Sequence, residues 1–289
     1  MMTTTSPPPV TEAMLLRDFS LEMTGKDTSK LDEARGAIPP GTRINVTYLG
    51  NENLQMRLDA ARAVNGFGFV PVPHISARRL TSRDELKVFL AALREHDAQA
   101  QVFAVGGDPA QPHGPYADSL QIIRSGLLQE HGVRGVGIGG YPEGHPQISR
   151  ETLWSALVEK ADALAAEGLS GDIITQFGFD ANAVLTWIEE VRGRDIELPI
   201  RVGVPGPAGV KRLMTYATRF GVGTSASIAR KYGLSLTNLM GTTGPDRFLT
   251  ALAAGYDAAR HGEVKLHFYT FGGLDTTSRW IDAFRKGLK

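Results

Sequence analysis

"AQVFAVGGDPAQPHGPYADSLQIIRSGLLQEHGVRGVGIGGY", residues 100–141, decides the fold. Two apolar β-type runs, 100–107 and 133–141, flank a segment at 116–132 whose apolar residues recur at helical spacing and stop at a glycine. A strand–helix–strand unit of this length joins parallel neighbours through a right-handed crossover. The connector "VGGDPAQPHGPYADSL" (105–120) is too polar to be buried, and it leaves Asp108 at the end of a strand.

The same alternation extends in both directions. Upstream, "FSLEM" (19–23), "RINVTYL" (43–49) and "FGFVPVPHI" (67–75) read as strands, the last with prolines that suit a strand's end. Helical patterns follow at 52–65 and 82–97, the second opened by Ser82 with Glu85 three residues on, a capping box. Downstream, "GDIITQFGF" (171–179), "LPIRVGVPG" (198–206) and "VKLHFYTFG" (264–272) complete a set of eight. Helical patterns run at 149–168, 181–194 and 208–221, in two further pieces, "SASIARKYG" (225–233) and "PDRFLTALAAGYDAARHG" (245–262), and in the closing "TTSRWIDAFRKGLK" (276–289). Eight such units over about 250 residues predict an α/β single-domain (β/α)8 TIM barrel over 18–289. A doubly wound sheet is the alternative, but no GxGxxG opens a helix after the first strand.

Composition narrows the function. The 289 residues carry a formal net charge of +0, which argues against nucleic acid or an anionic membrane as main partner. With Cys 0, disulfides, thiolate nucleophiles and cysteine-type metal sites are excluded, and a cytoplasmic protein is expected. The opening "MMTTTSPPPVTEA" has neither the basic nor the apolar region of a signal peptide, so residues 1–17 are expected to be a disordered tail. No GxSxG, GxxxxGK[ST] or HExxH motif occurs, so no metal site is expected and hydrolase and P-loop chemistry is disfavoured.

In such a barrel the working residues lie where strands end. The polar residues there are Glu22, Thr47, His74, Asp108, Tyr141 with Glu143 and His145, Gln176 with Asp180, and Tyr269 with Thr270. Each has a plain structural reading: Thr47 is a β-former, His74 can satisfy a loop carbonyl, and Asp108 before Pro109 is a common turn initiator. Gln176, set between apolar runs, needs hydrogen-bond partners if buried. Together they describe a small-molecule site at one mouth.

"VTYLG", "PHIS", "GGDP", "PYADSL", "GGYPEGHP", "IITQFGFD" and "LHFYT" occur in an order that resembles the methylenetetrahydrofolate reductase family, from about Phe19 to Thr270. The resemblance implies reduction of 5,10-methylenetetrahydrofolate to 5-methyltetrahydrofolate, or the reverse, by NADH or NADPH through bound FAD. It implies that Glu22 is the general acid on the folate, that Asp108 lies beside flavin and pterin, and that Gln176 contacts the pterin. Thr47, His74, Asp108, Tyr116, Ala117, Tyr141, His145, Lys160 and Tyr269 fall on its flavin-contact positions. The partner is then a small molecule, with homo-oligomerisation left open.

The chain departs from that pattern in places. The family's "RGD" is here Gly106-Gly107-Asp108, and Leu153 replaces an acid or amide near the flavin's adenosine side. The stretch between Lys160 and Gln176 is longer, Val210 lies where an aromatic often stacks, and "HFYTFGG" replaces "HFYTLN". Losing a guanidinium beside the flavin would cost about 1.5–3 kcal/mol. Flavin-independent reduction with direct hydride transfer, and a non-catalytic folate- or flavin-binding barrel, therefore stand as alternatives. Glu22 argues against the second, since a pure binder needs no acid there. A Schiff-base lyase is disfavoured because Lys265 is the one lysine within the eight strands.

Overall fold

Short β-branched and apolar runs punctuated by Gly and Pro form strands, and the amphipathic stretches between them form the helices that cover those strands. The computed structural model describes residues 12–221 and 242–287. The barrel strands are β1 Ser20–Met23, β2 Arg43–Val46, β3 Val70–Ser76, β4 Gln101–Val105, β5 Gly135–Gly140, β6 Ser170–Phe177, β7 Ile200–Pro205 and, after a small antiparallel pair (β8 Ala208–Gly209, β9 Thr242–Thr243), β10 Val264–Tyr269. They close in the order β1-β10-β7-β6-β5-β4-β3-β2, every neighbouring pair parallel. This is the expected (β/α)8 barrel.

The helices are α1 Glu12–Leu15, α2 Thr28–Ala34, α3 Leu54–Gly66, α4 Arg83–Glu95, α5 Ser119–Ile123, α6 Leu127–Glu130, α7 Arg150–Ala166, α8 Ala181–Arg192, α9 Val210–Phe220, α10 Asp246–Gly255, α11 Ala258–His261 and α12 Leu274–Gly287. Ser82 and Ser149 cap α4 and α7 by accepting from the backbone N–H groups of Glu85 and Thr152. None of the described helices is long and apolar enough to cross a membrane.

Four expectations need correction or qualification. The pattern at 116–132 is two short helices, not one, because Gly126 with φ 74° breaks it. The expected tail at 1–17 is too long: α1 begins at Glu12 and buries Leu15 and Leu16 in the core. Pro71 and Pro73 lie inside β3 rather than at its end. Val70 donates to Thr42 on the β2 side, so the prolines face β4, where pairing starts only at His74. A missing N–H costs nothing there. The helical piece expected at 225–233 lies outside the described residues.

Outward-facing strand residues such as Leu21, Ile44, Val102, Val136 and Phe268 pack beneath the helices. The lumen is closed from below by charge. Arg201, 2% exposed, donates its Nε to Asp172 at 2.7 Å and its terminal nitrogens to the Asp18 carbonyl at 2.7 Å and carboxylate at 3.2 Å. Arg43 reaches Asp172 at 2.9 Å, and Lys265 reaches Asp18 at 2.6 Å. Burial opposes ionisation of Asp18, but Lys265 and Arg201 together hold its carboxyl below the usual range. Above this floor Val72, Phe103 and Ile174 fill the middle, leaving the upper lumen open.

Candidate active site

The open upper lumen is a cavity of about 670 Å³, lined by side chains from seven of the eight barrel strands or the loops that follow them. Glu22, Thr47, His74, Tyr141, Gln176 and Tyr269 all face it. Six of the eleven residues to which the family resemblance gives a role are thus gathered in one place, with Thr270 beside them, as strand alternation and closure require.

Glu22 stands on β1 with its side chain 20% exposed, and Thr270 donates to its backbone carbonyl at 2.7 Å. Below it, His267 is fully buried, its Nε2 3.7 Å from the Glu22 carboxylate and its Nδ1 2.8 Å from the Ser20 hydroxyl. Among the described residues Nε2 has no hydrogen-bond partner. A Ser20–His267–Glu22 line therefore rises from the buried lumen to the cavity. Two proton arrangements satisfy it. Ser20 donates to Nδ1 while Nε2–H faces a carboxylate, or Nδ1–H donates to Ser20 while its hydroxyl turns to the Leu266 carbonyl at 3.4 Å and Nε2 faces a carboxylic acid.

Gln176 is aimed at the cavity by an irregularity in β6. The register with β7 shifts between Ile174 and Phe177, and Thr175 turns its hydroxyl to accept from Gly203 N–H at 2.8 Å. Gly203 makes this possible, because a Cβ there would lie 2.4 Å from the Thr175 carbonyl oxygen. Gln176 Oε1 accepts from Phe177 N–H at 3.1 Å, which leaves the carboxamide NH2 as a donor toward a ligand.

On the opposite side, His74 packs edge-on to Phe103 and takes a 3.3 Å contact from Asn45. Burial lowers its pKa to about 4, so the ring is neutral, with Asn45 donating to Nε2 and the proton on Nδ1. Thr47 presents a hydroxyl with no partner among the described residues. Tyr269 donates to the Thr175 carbonyl at 3.0 Å; burial, then the nearby Glu22 charge and Tyr141, push its ionisation well above the ordinary phenol range. Burial likewise raises Tyr141.

The remaining five lie elsewhere. His145 stands with Tyr141, Leu153, Trp154 and Trp187 in a neighbouring cleft of about 410 Å³, its pKa lowered by desolvation. Asp108 is exposed and ion-paired with Arg79 on the rim. Tyr116 is buried in the core, its hydroxyl without a partner among the described residues, and the Ala117 carbonyl accepts from Arg78 at 2.8 Å. Lys160, on α7, has its pKa lowered to about 8 by burial, with Asp118 opposing the shift. Of the neighbouring polar residues, Glu143 is structural: it accepts from the N–H groups of Phe179 at 2.9 Å and Asp180 at 3.4 Å, clamping the loop after β6.

Held against FAD, these positions match only one end of the group. Thr47, His74 and Tyr141 suit an isoalloxazine in the cavity. For the rest, Asp108 is engaged by Arg79, Arg78 is spent on the Ala117 and Pro109 carbonyls, and the unpartnered Tyr116 hydroxyl is buried away from the cavity. The residues as arranged do not fit the whole dinucleotide.

Sequence reasoning missed Ser20, His267 and a set on α9. Arg212, Tyr216 and Arg219 line the cavity wall beside Phe220 and Phe271. Their i, i+4, i+7 spacing on the helix after the seventh strand was the available signal. Tyr216 stacks on Phe271 at 4.1 Å, which supplies the aromatic surface that Val210, buried in the core, does not.

A family model described as methylenetetrahydrofolate reductase matches residues 33–233. Methylenetetrahydrofolate reductase 2 of Saccharomyces cerevisiae is 28% identical over 133 residues, 42% of this chain and 20% of that protein. The chain thus spans about a fifth of that relative's length. Among solved structures, dihydropteroate synthase from Thermus thermophilus is 13% identical with a TM-score of 0.49, covering 94% of each chain. A GH18 chitinase from Pseudoalteromonas aurantia is 12% identical with a TM-score of 0.46, covering 92% of this chain and 99% of that one.

Proposed function

The chain belongs to the methylenetetrahydrofolate reductase family, and on that premise we propose that it reduces 5,10-methylenetetrahydrofolate to 5-methyltetrahydrofolate, with NADH or NADPH as reductant. The observation that carries the reading is the Ser20–His267–Glu22 line facing Gln176 across one cavity. The methylene bridge must open before it can accept hydride, and opening needs a proton on N10. Glu22 delivers that proton as the C–N10 bond breaks, leaving an N5 iminium. Hydride then adds to the iminium carbon, giving the methyl group. Glu22, partly exposed at the cavity, regains its proton from solvent once product leaves, and His267 and Ser20 switch between the two arrangements above to match the carboxylate or the carboxylic acid. Gln176 orients the pterin by donating to an acceptor on its edge. Tyr269, kept un-ionised, adds no negative charge beside the developing carboxylate.

Two routes for the hydride are open to test. On the family's route FAD would supply the hydride, and Thr47, His74, Tyr141, His145 and Lys160 would be among the residues to hold it. Direct transfer from the nicotinamide is favoured by a specific observation: Asp108 is paired with Arg79 and the Tyr116 hydroxyl is buried away from the cavity. Purified protein should form 5-methyltetrahydrofolate from methylenetetrahydrofolate and NAD(P)H. No product with either nucleotide, with or without added FAD, would overturn the reductase reading. The visible absorption of the same sample separates the routes, since turnover without flavin bands favours direct transfer.

A further inference from the structure

One wall of the upper cavity carries polar groups that the acid step does not use. Asn45 and Thr47 are two residues apart, so their side chains leave the same face of the chain, toward the lumen. Asn45 is buried and donates to His74 Nε2 at 3.3 Å, which leaves the His74 proton on Nδ1. Nδ1 makes no hydrogen bond among the described residues. The Thr47 backbone N–H is fixed by the Met23 carbonyl at 2.9 Å, yet its buried hydroxyl has no partner among the described residues. A buried hydroxyl without a partner is costly unless a ligand completes it. The β2–β3 register pairs Asn45 with Val72 and Val46 with Pro73, and its next step sets Thr47 beside His74. Neighbouring strands lie about 4.8 Å apart, so an N–H donor and a hydroxyl acceptor stand within reach of one small polar group.

A primary carboxamide has the matching pair, an oxygen that accepts and an NH2 that donates. Gln176, assigned above to the pterin, stands on β6, four strands from β2 in either direction around the barrel. The wall of Thr47 and His74 is therefore free for a second flat ring, and a cavity of about 670 Å³ is within the size range of sites that enclose such ligands. We infer that this wall holds the carboxamide of the reduced nicotinamide, His74 Nδ1–H donating to its oxygen and the Thr47 hydroxyl accepting from its NH2. The inference rests on the reductase reading above, with direct transfer. The hydride leaves C4 of the dihydronicotinamide with its electron pair and forms the new C–H bond on the iminium carbon, so the ring becomes a pyridinium. Burial keeps His74 un-ionised, with a pKa of about 4, so no positive charge opposes the one the ring acquires. Two contacts to one substituent also fix the rotation of the ring, which sets the face and the carbon presented to the folate.

Dissociation constants are measured by calorimetry on the full chain for NADH, NADPH, their reduced 3-acetylpyridine analogues and 5-methyltetrahydrofolate. The acetyl group keeps the carboxamide oxygen and lacks the NH2. The wild type should bind the parent nucleotide roughly five- to tenfold more tightly than its analogue. Thr47→Val, of nearly the same shape, should bind the two within about twofold, while Thr47→Ser should keep the wild-type ratio. Thermal midpoints show that both variants are folded. A wild-type ratio near one, or a ratio that survives in Thr47→Val, overturns the inference. So does a Thr47→Val protein whose folate binding weakens while its nucleotide ratio is intact, which gives the hydroxyl to the pterin. Flavin bands in the purified protein overturn it too, and so does a wild type that binds 5-methyltetrahydrofolate but neither nucleotide. Binding of neither the folate nor a nucleotide would instead sink the reductase reading on which the inference stands.

Discussion

Replacing Glu22 by glutamine keeps the shape of the side chain and removes its proton. The structure indicates how little else changes. The side chain is 20% exposed, its carboxylate lies 3.7 Å from the His267 ring, and the bond from Thr270 goes to the backbone and survives. Loss of one such contact costs at most about 1 kcal/mol of stability. A positioned general acid contributes roughly 10²–10⁴ to the rate, or about 3–5 kcal/mol of barrier. Glu22→Gln should therefore lower kcat for 5-methyltetrahydrofolate formation by that factor while the thermal midpoint stays nearly constant and NAD(P)H binding persists. Product formation followed at saturating substrate gives the rate, and nucleotide fluorescence titration gives the binding. Ser20→Ala supplies a second readout, because it takes the hydroxyl partner from His267 Nδ1 in both proton arrangements and should move the pH profile of kcat. A Glu22→Gln protein turning over within about threefold of wild type would refute the acid role.

Other outcomes follow from the same contacts. Gly106→Arg should leave the midpoint within about 2 °C, since a Cβ there meets nothing within 4 Å among the described residues, and should tighten FAD binding if the flavin occupies the family's position. Gly107→Ala should lower the midpoint by several degrees, because φ is 96° and the new Cβ would sit 2.2 Å from the Ser76 hydroxyl. His74 is buried neutral with a pKa of about 4 against 6.5 unfolded, so the unfolded chain binds the extra proton first. Its contribution is present above pH about 6.5 and is lost as pH falls toward 4, by about 3 kcal/mol, and urea midpoints of His74→Gln should lack that part of the acid sensitivity. Arg201→Ala leaves two carboxylates without their shared cation in the barrel floor and should cost about 3–5 kcal/mol in urea unfolding.

The barrel was legible because its signal is local and repeated. Each strand run carries its own period, and the capping serines mark where α4 and α7 begin. The strand-end acids and amides were legible for the same reason, since topology alone brings Glu22, Thr47, His74 and Gln176 to one mouth. What the chain does not announce is pairing across strands. Ser20 and His267 are 247 residues apart and meet only through the β1–β10 register. Nor does a motif reveal that a neighbour has taken its residue. The sequence shows neither that Arg79 pairs with Asp108 nor that the Tyr116 ring packs in the core. The irregularity in β6 that aims Gln176 is equally silent, being a relation between Thr175 and Gly203 rather than a property of either.

The charged floor has a bearing on how the polypeptide reaches this state. Asp18 precedes the first strand, while its partners Arg201 and Lys265 belong to the seventh and eighth strands of the barrel in chain order. During synthesis, a nascent chain that has emerged only as far as β6 holds Asp172 and Arg43 but neither Arg201 nor Lys265 to complete the cluster. Closing the floor early would leave Asp172 with Arg43 alone and Asp18 without either of its ion-pair partners. Assembly is thereby weighted toward a late, concerted closure in which the two chain ends arrive together. The electrostatic knot acts as a checkpoint against half-formed barrels, at the expense of a high contact order and slow folding.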